Sequence, residues 1–363
     1  MTDIQVGNHF IGSHYPPFCI AEIGVNHNGS LKIAKELIDV ASECGADAVK
    51  FQTFFADEIV IEGTTIAGYQ HRNLKSSLTQ REMLKKYELS FEQHRELCDY
   101  SKEKKIIFLS TPHSGEMSVE FLEKLQIPAY KIASGDLTNL PFLSLVAATK
   151  KPIFLSTGMG TLKEVVETVK HLRNAPFTKL VLLQCTTEYP CPLEHTNLRA
   201  MQTMKEACEV PVGFSDHTVG IEAAVLAVRL GAVCLEKHIT LDRDLEGPDH
   251  QASMEATEFR RYVKTVKLEK IKKELLIPED LVETILGNGE KKPTLEEIET
   301  AKLVRKSVVS KLDLSPETLI QETDLCLKRP GTGIPPKDMK RLIGKRVKRL
   351  IPRDTLISWK DIE

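Results

Sequence analysis

Eight short runs rich in β-branched and aromatic residues recur along the first two-thirds of the 363-residue chain, and amphipathic stretches separate them. The runs are FCIAEIG (Phe18–Gly24), AVKFQ (Ala48–Gln52), IIFLS (Ile106–Ser110), AYKIAS (Ala129–Ser134), IFLSTG (Ile153–Gly158), LVLLQCT (Leu180–Thr186), VGFSDH (Val212–His217) and VCLEKHI (Val233–Ile239). Between them, segments such as LKIAKELIDVASECG and SVEFLEKLQ return to an apolar residue every three or four positions, the period of a helix with one buried face. Strand and helix alternating eight times over about 250 residues is the count of an α/β (β/α)8 TIM barrel. A doubly wound open sheet is the other arrangement such alternation allows, but no Gly-x-Gly-x-x-Gly turn follows the first run.

A barrel of this kind carries its site at the C-terminal ends of its strands, so polar residues should gather late in each run. They do: Glu22, Lys50 and Gln52, Thr111, Lys131 and Ser134, Ser156 and Thr157, Gln184 and Thr186, Ser215 to His217, and Glu236 to His238. A lone histidine at a strand end is usually a hydrogen-bonded side chain. Two of them, His217 and His238, on successive strands at matching depth suit a borderline divalent ion, with open positions left for water and substrate. Lys50, Lys131, Thr111, Ser134, Ser156 and Ser215 add two cations and four hydroxyls to the same rim, a set able to hold a phosphate or carboxylate. The lysines could instead form a Schiff base. Glu22 and Asp249 are candidate acceptors for sugar hydroxyls or acid–base groups.

The net charge of −2 gives no case for nucleic-acid binding. The charge is uneven, however: residues 302–363 carry 15 Lys and Arg against 8 Asp and Glu. Such a basic module beside an acidic body suits an anionic ligand or attraction between subunits. The eight cysteines include no Cys-x-x-Cys pair, and MTDIQVGNHF does not read as a signal peptide, so free thiols in the cytoplasm are expected. No apolar run approaches the ~20 residues of a membrane span, and no membrane partner is expected. Residues 1–265 read as the barrel domain, 266–301 as a charged helical or irregular linker, and 302–363 as a small β-rich domain with turn signals.

Taken in order, AEIGVNHNG (Ala21–Gly29), GADAVKFQT, FLSTPHS, YKIASGDLTNLP, LSTGM, CTTEYP, GFSDHTVG, LEKHITLD and GPDHQAS resemble the sialic acid synthase family. KSVVSKLDL, KRPGTGIPP and LIGKRV resemble that family's C-terminal antifreeze-like (SAF) domain, so the likeness spans almost the whole chain. It implies condensation of phosphoenolpyruvate with N-acetylmannosamine to give N-acetylneuraminate and phosphate by C–O cleavage. A divalent ion, usually manganese, with magnesium or cobalt as alternatives, would sit on His217 and His238. The resemblance further implies that Lys50, Thr111, Lys131, Ser134, Ser156 and Ser215 hold phosphoenolpyruvate. Glu22, Tyr189 and Asp249 would hold the N-acyl amino sugar, and Thr187 would be a further substrate-binding residue. Glu22, Asp136 and the two histidines would be catalytic. A domain-swapped homodimer is implied as well, with Arg329 reaching the sugar from the other subunit.

Three departures bear on these expectations. Asp136 stands where many members have Glu, one methylene shorter. Thr186 and Thr187 stand where some have Asn. AGYQHRNLKSSLTQREMLKKYELS resembles bacterial members acting on unphosphorylated sugars, including diacetamido-trideoxy ones that give legionaminate, although its Arg81 could meet a sugar 6-phosphate. A Schiff-base lyase and a non-catalytic carbohydrate- or ice-binding protein are the readings from other classes. The second leaves the histidine pair and the strand-end lysines without a purpose.

Overall fold

The computed structural model describes residues 3–74, 78–175, 179–268 and 277–363. It opens with an antiparallel hairpin, β1 (Ile4–Val6) and β2 (His9–Ile11), which the residue pattern does not announce. The barrel follows: β3 (Phe18–Gly24), α1 (Leu31–Glu43), β4 (Ala48–Thr53), then the short helices α2 (Ala56–Ile59), α3 (Gly68–Leu74) and α4 (Gln80–Tyr87) before α5 (Phe91–Glu103). It continues with β5 (Ile107–Pro112), α6 (Gly115–Lys124), β6 (Tyr130–Ile132), α7 (Leu140–Ala148), β7 (Ile153–Ser156) and α8 (Leu162–Arg173). The last turns are β8 (Leu180–Cys185), α9 (Arg199–Cys208), β9 (Val212–Asp216), α10 (Glu222–Arg229), β10 (Cys234–His238) and α11 (Ala256–Val266).

The eight strands β3 to β10 run parallel in the order β5-β4-β3-β10-β9-β8-β7-β6, and β6 returns beside β5 to complete the ring. Each expected strand is present within two residues of its expected start. Alternation decides what each strand shows to the inside. Ile20, Ala48, Leu109, Ala129, Phe154, Leu183 and Cys234 form an apolar interior layer, onto which Ile4, Val6 and Ile11 of the hairpin pack from the N-terminal end. The side chains two positions further on face inward one rung higher, and six of the seven are polar or charged: Glu22, Lys50, Thr111, Lys131, Ser156 and Glu236, with Cys185 the seventh. On β9 the lower position is Gly213, where a Cβ would lie 2.4 Å from the Cys234 carbonyl oxygen and 2.7 Å from Leu183. The interior leaves no room for a side chain there.

The positions in between face the helices. Ala21, Val49, Ile132, Leu155, Leu182, Phe214 and Leu235 share the main core with the apolar faces of the surrounding helices. Asp216 and Lys237 lie on that outer side too, 3.3 Å apart and fully buried, so these two charges flanking the histidines form a structural pair rather than part of the mouth.

After the barrel come α12 (Glu279–Leu286) and α13 (Leu295–Val304), so the expected linker holds two helices joined by the irregular residues 287–294. Residues 269–276 of the expected linker lie outside the described residues. The expected boundary at 301/302 falls inside α13, which runs on to the SAF-like domain. That domain pairs β11 (Ser307–Ser310) with β12 (Leu325–Lys328) over its own core of Val308, Leu314, Ile320, Leu325, Val347 and Ile357. It docks on its own barrel: the Arg329 backbone exchanges hydrogen bonds with Ile59 and Ile61, and Lys306 Nζ donates to the His113 carbonyl at 2.6 Å. All eight cysteines are free. Among the described residues no helix is long and apolar enough to cross a membrane.

Candidate active site

The upper polar layer becomes the floor of a cavity at the C-terminal mouth of the barrel. Glu22, Lys50, Lys131, Ser156, Ser215 and Glu236 come from six different strands to line it. The charges alternate. Lys50 Nζ lies 2.7 Å from Glu22 Oε2 and 3.9 Å from Glu236 Oε2, and Lys131 Nζ lies 2.9 Å from Glu236 Oε1. Ser215 donates to Glu236 at 2.8 Å, Gln52 donates to Glu22 at 3.2 Å, and Thr111 stands behind Lys50, accepting its proton at 3.2 Å. Buried cations need counter-charges. Burial alone would lower Lys50, but Glu22 and Glu236 hold it above its ordinary value. Burial would raise the carboxyl of Glu236, but Lys131 and then Lys50 hold it well below the usual carboxylate range. Glu22 goes the other way: burial pushes it up to about 7 against the pull of Lys50.

Two carboxylates therefore face two lysines, and one of the carboxylates titrates near neutrality. An anion arriving on this floor favours the protonated form of Glu22, which leaves both lysines with charge to offer it. Ser156 Oγ is buried here without a hydrogen-bond partner.

Above the floor stand the histidines. The rings of His217 and His238 lie 5.5 Å apart, centroid to centroid, with the Tyr189 ring 4.1 Å from the first and edge-on at 5.7 Å to the second. His217 Nδ1 donates to the Thr186 carbonyl at 2.7 Å, which leaves Nε2 as its free nitrogen. Burial, then the neighbouring His217, holds His238 well below its ordinary value, and its Nδ1 is buried with no hydrogen-bond partner. A neutral imidazole with an unused nitrogen is the form that binds metal. Two ring nitrogens each about 2.1 Å from one ion at a near-tetrahedral angle put the ring centroids about 5.4 Å apart, close to the spacing observed. Among the described residues no third His, Cys, Asp or Glu completes a set around one point. The pair would supply two ligands, one fewer than the three of an ordinary catalytic zinc site, and would leave the other positions to water and substrate.

Apart from Thr111, which stands behind Lys50 and does not line the cavity, the rim completes the expected set with one exception. Ser134 follows β6, Thr187 and Tyr189 follow β8, Asp249 follows β10, and Arg329 arrives from the SAF-like domain; all line the cavity. Asp249 is pushed up to about 6 by burial, with its Oδ2 3.8 Å from His238 Nδ1. The guanidinium of Arg329 donates to Gln80 at 3.3 Å and its Nε has no partner. It reaches the mouth of its own chain, whereas the resemblance brings it from a second one. Asp136 is the exception. It lies behind His113, 3.8 Å from that ring, and is committed to Lys306 at 3.5 Å and Asn139 at 2.9 Å. Burial would raise its carboxyl, but Lys306 and His113 hold it well below the usual carboxylate range. It is His113, not Asp136, that lines the cavity.

Several lining residues were not singled out from the sequence. Glu236 is the hub of the floor, and its signal was present: it stands two positions before His238 and so faces the same way. Opposite the charged floor, Val25, Phe54, Ile59, Met83, Leu84 and Tyr87 build an apolar wall from the β3 and β4 loops and the inner faces of α2 and α4. Arg81 of α4 is not on that wall. It turns outward to Asp57 and Glu62.

Comparison with known proteins agrees with this geometry. A model of the NeuB family matches residues 37–274, and a model of the SAF domain matches residues 305–363. The N,N'-diacetyllegionaminic acid synthase of Legionella pneumophila is 44% identical, with 97% of this chain and 96% of that protein aligned. The N-acetylneuraminate-9-phosphate synthase of Homo sapiens is 37% identical, over 96% of this chain and 93% of that one. Among solved structures, the spore coat polysaccharide biosynthesis protein SpsE of Bacillus subtilis superposes with a TM-score of 0.84 at 32% identity, covering 100% of this chain and 99% of that one.

Proposed function

The chain belongs to the NeuB family, and from that premise we propose that it condenses phosphoenolpyruvate with an N-acyl amino sugar to give a nine-carbon 2-keto sugar acid and phosphate. The observation that carries this is the alternating charge on the floor beneath two imidazoles, with a partnerless Ser156 hydroxyl among them. Lys50 and Lys131 would hold the phosphate and carboxylate of phosphoenolpyruvate, with Ser134, Ser156 and Ser215 as hydroxyl partners. A divalent ion on His217 and His238, with manganese the first choice, would supply Lewis acidity at the aldehyde of the open-chain sugar. C3 of the enol phosphate attacks that aldehyde carbon, water adds at C2, and phosphate leaves with its bridging oxygen as the C–O bond breaks. Glu22, titrating near neutrality, can give the proton that the new alkoxide needs. Fixed lysines aimed at charge that is redistributed during the reaction are electrostatic preorganisation.

The acceptor follows from the apolar wall. Phe54, Ile59, Met83 and Leu84 suit methyl groups, and Arg81 is spent on Asp57. N-Acetylmannosamine carries a hydroxymethyl at C6 and its 6-phosphate a dianion, and neither gains from such a surface. 2,4-Diacetamido-2,4,6-trideoxymannose carries a C6 methyl and a second acetamido methyl, and we assign it as the acceptor. The test is phosphate release from phosphoenolpyruvate with Mn2+ and each of the three sugars in turn. The expected result is a kcat/KM at least about tenfold higher for the diacetamido sugar, the order of discrimination that one methyl in a pocket gives. Equal rates with N-acetylmannosamine would reject the acceptor, and release no faster than without sugar would reject the synthase.

A homodimer is part of this proposal. Arg329→Ala is expected to weaken acceptor binding by about tenfold or more through loss of one charged contact. Co-refolding it with His217→Ala decides where the arginine acts. Restored turnover means that Arg329 crosses between chains in the dimer, and no restoration means that it serves its own barrel.

A further inference from the structure

We propose that Glu297, a residue of the linker helix that reaches neither reactant, is a positioning residue for the acceptor side of the site; this rests on the synthase reading above. Glu297 is 2% exposed. Its Oε1 accepts two backbone N–H groups from two separate barrel loops: Met159, after β7, at 2.7 Å and Thr187, after β8, at 2.8 Å. Its Oε2 accepts the Thr294 N–H at 3.1 Å in the capping box that starts α13. One carboxylate thus satisfies three main-chain donors, two of them buried, and a helix outside the barrel ties together two loops that the strand ladder does not.

What those loops carry makes the tie matter. They meet without slack at Gly158, where a Cβ would stand 2.3 Å from Thr187 Oγ1 and 2.8 Å from Ser134 Oγ. The Gly158 N–H donates to Ser134 at 3.0 Å. Two residues past Thr187, the Tyr189 ring is wedged between Tyr69 and His217, 4.7 and 4.1 Å away. A second tie runs parallel to the first: Glu188 accepts from Thr294 at 2.5 Å and faces His195 at 2.9 Å. The lysines and serines of the floor, by contrast, stand on strands or immediately after them, fixed by the ladder and by Glu236. Releasing Glu297 therefore loosens the wall that carries Thr187 and Tyr189 and leaves the floor in place.

The experiment compares wild type with Glu297→Ala, Glu297→Asp and Glu297→Gln. The Asp variant keeps a charge near the helix cap but falls one methylene short of the loops, so it reports on the tie even if the Ala variant does not fold. The Gln variant keeps an oxygen for both loop amides. In Ala and Asp, the KM for the acceptor sugar is expected to rise about tenfold or more while the KM for phosphoenolpyruvate stays within about threefold, and Gln should return the acceptor KM most of the way. Amide hydrogen exchange read without any substrate should be at least about tenfold faster at Met159 and Thr187 in the Ala and Asp variants. Faster exchange in an enzyme that turns over none of the sugars supports the tie and rejects only the synthase reading. Unchanged exchange, a fall in melting temperature with both KM values unmoved, or an equal rise in the two would each overturn the proposal.

Discussion

Replacing His217 or His238 with alanine is expected to lower kcat/KM by about 10³-fold, since a Lewis acid contributes several kcal/mol at the reacting carbonyl and each 1.4 kcal/mol is worth a factor of ten. The fold should survive either change. His217 Nδ1 meets the Thr186 carbonyl at 2.7 Å and, more distantly, the Cys185 thiol at 3.9 Å, and His238 Nδ1 has no hydrogen-bond partner, so neither ring is a structural keystone. Calorimetric titration with Mn2+ on wild type and both variants provides the second readout, with loss of binding expected in each. A variant that keeps its rate, or that keeps the metal but loses the fold, would return the pair to ordinary buried histidines.

Glu236→Ala should be the most destabilising change at the mouth. It leaves Lys131 with no carboxylate at 2.9 Å and Lys50 with Glu22 alone, and it strips Ser215 of its acceptor. Removing one partner of a buried pair costs about 3–5 kcal/mol, mostly because the remaining charge is left unmatched. The cost is measurable as a lower urea midpoint with an unchanged m-value. Phosphoenolpyruvate brings the missing negative charge, so it should raise the melting temperature of Glu236→Ala by more than it raises that of wild type. Glu236→Gln keeps an acceptor for Ser215 and should lose less. If the alanine variant were as stable as wild type, the floor would not be the paired array described.

Much of this was legible in the residues because a barrel strand has only two faces. Once Lys50, Lys131 and Ser215 are placed inward, period two places the apolar layer beneath them and the helix-facing residues between them. The strands were found because each is a hydrophobic run with a polar end. The hairpin was missed because three residues on each side of a turn are too few to show alternation. Asp136 was read as catalytic because its place after β6 matches that of a longer acid elsewhere in the family. Only the fold reveals Lys306 reaching in from the SAF-like domain to engage it. The apolar wall was equally hidden, since Phe54 lies in the loop after β4 and Met83 and Leu84 on a short helix, where an apolar residue signals only burial. Glu297 sat in a stretch whose charges looked like solvated surface. Nothing in its neighbours says that one of three consecutive-turn acids points inward to the barrel.

The hairpin under the barrel has a kinetic corollary. With Ile4, Val6 and Ile11 packed against the far end, the cavity lies toward the C-terminal mouth, and Arg329 and Tyr189 are among the residues that line it. Under the proposed reaction, what lies on the lysines sits deeper than the sugar, so the enol phosphate is expected to bind before the sugar and phosphate to leave after the sugar acid, an order that product-inhibition kinetics would read out.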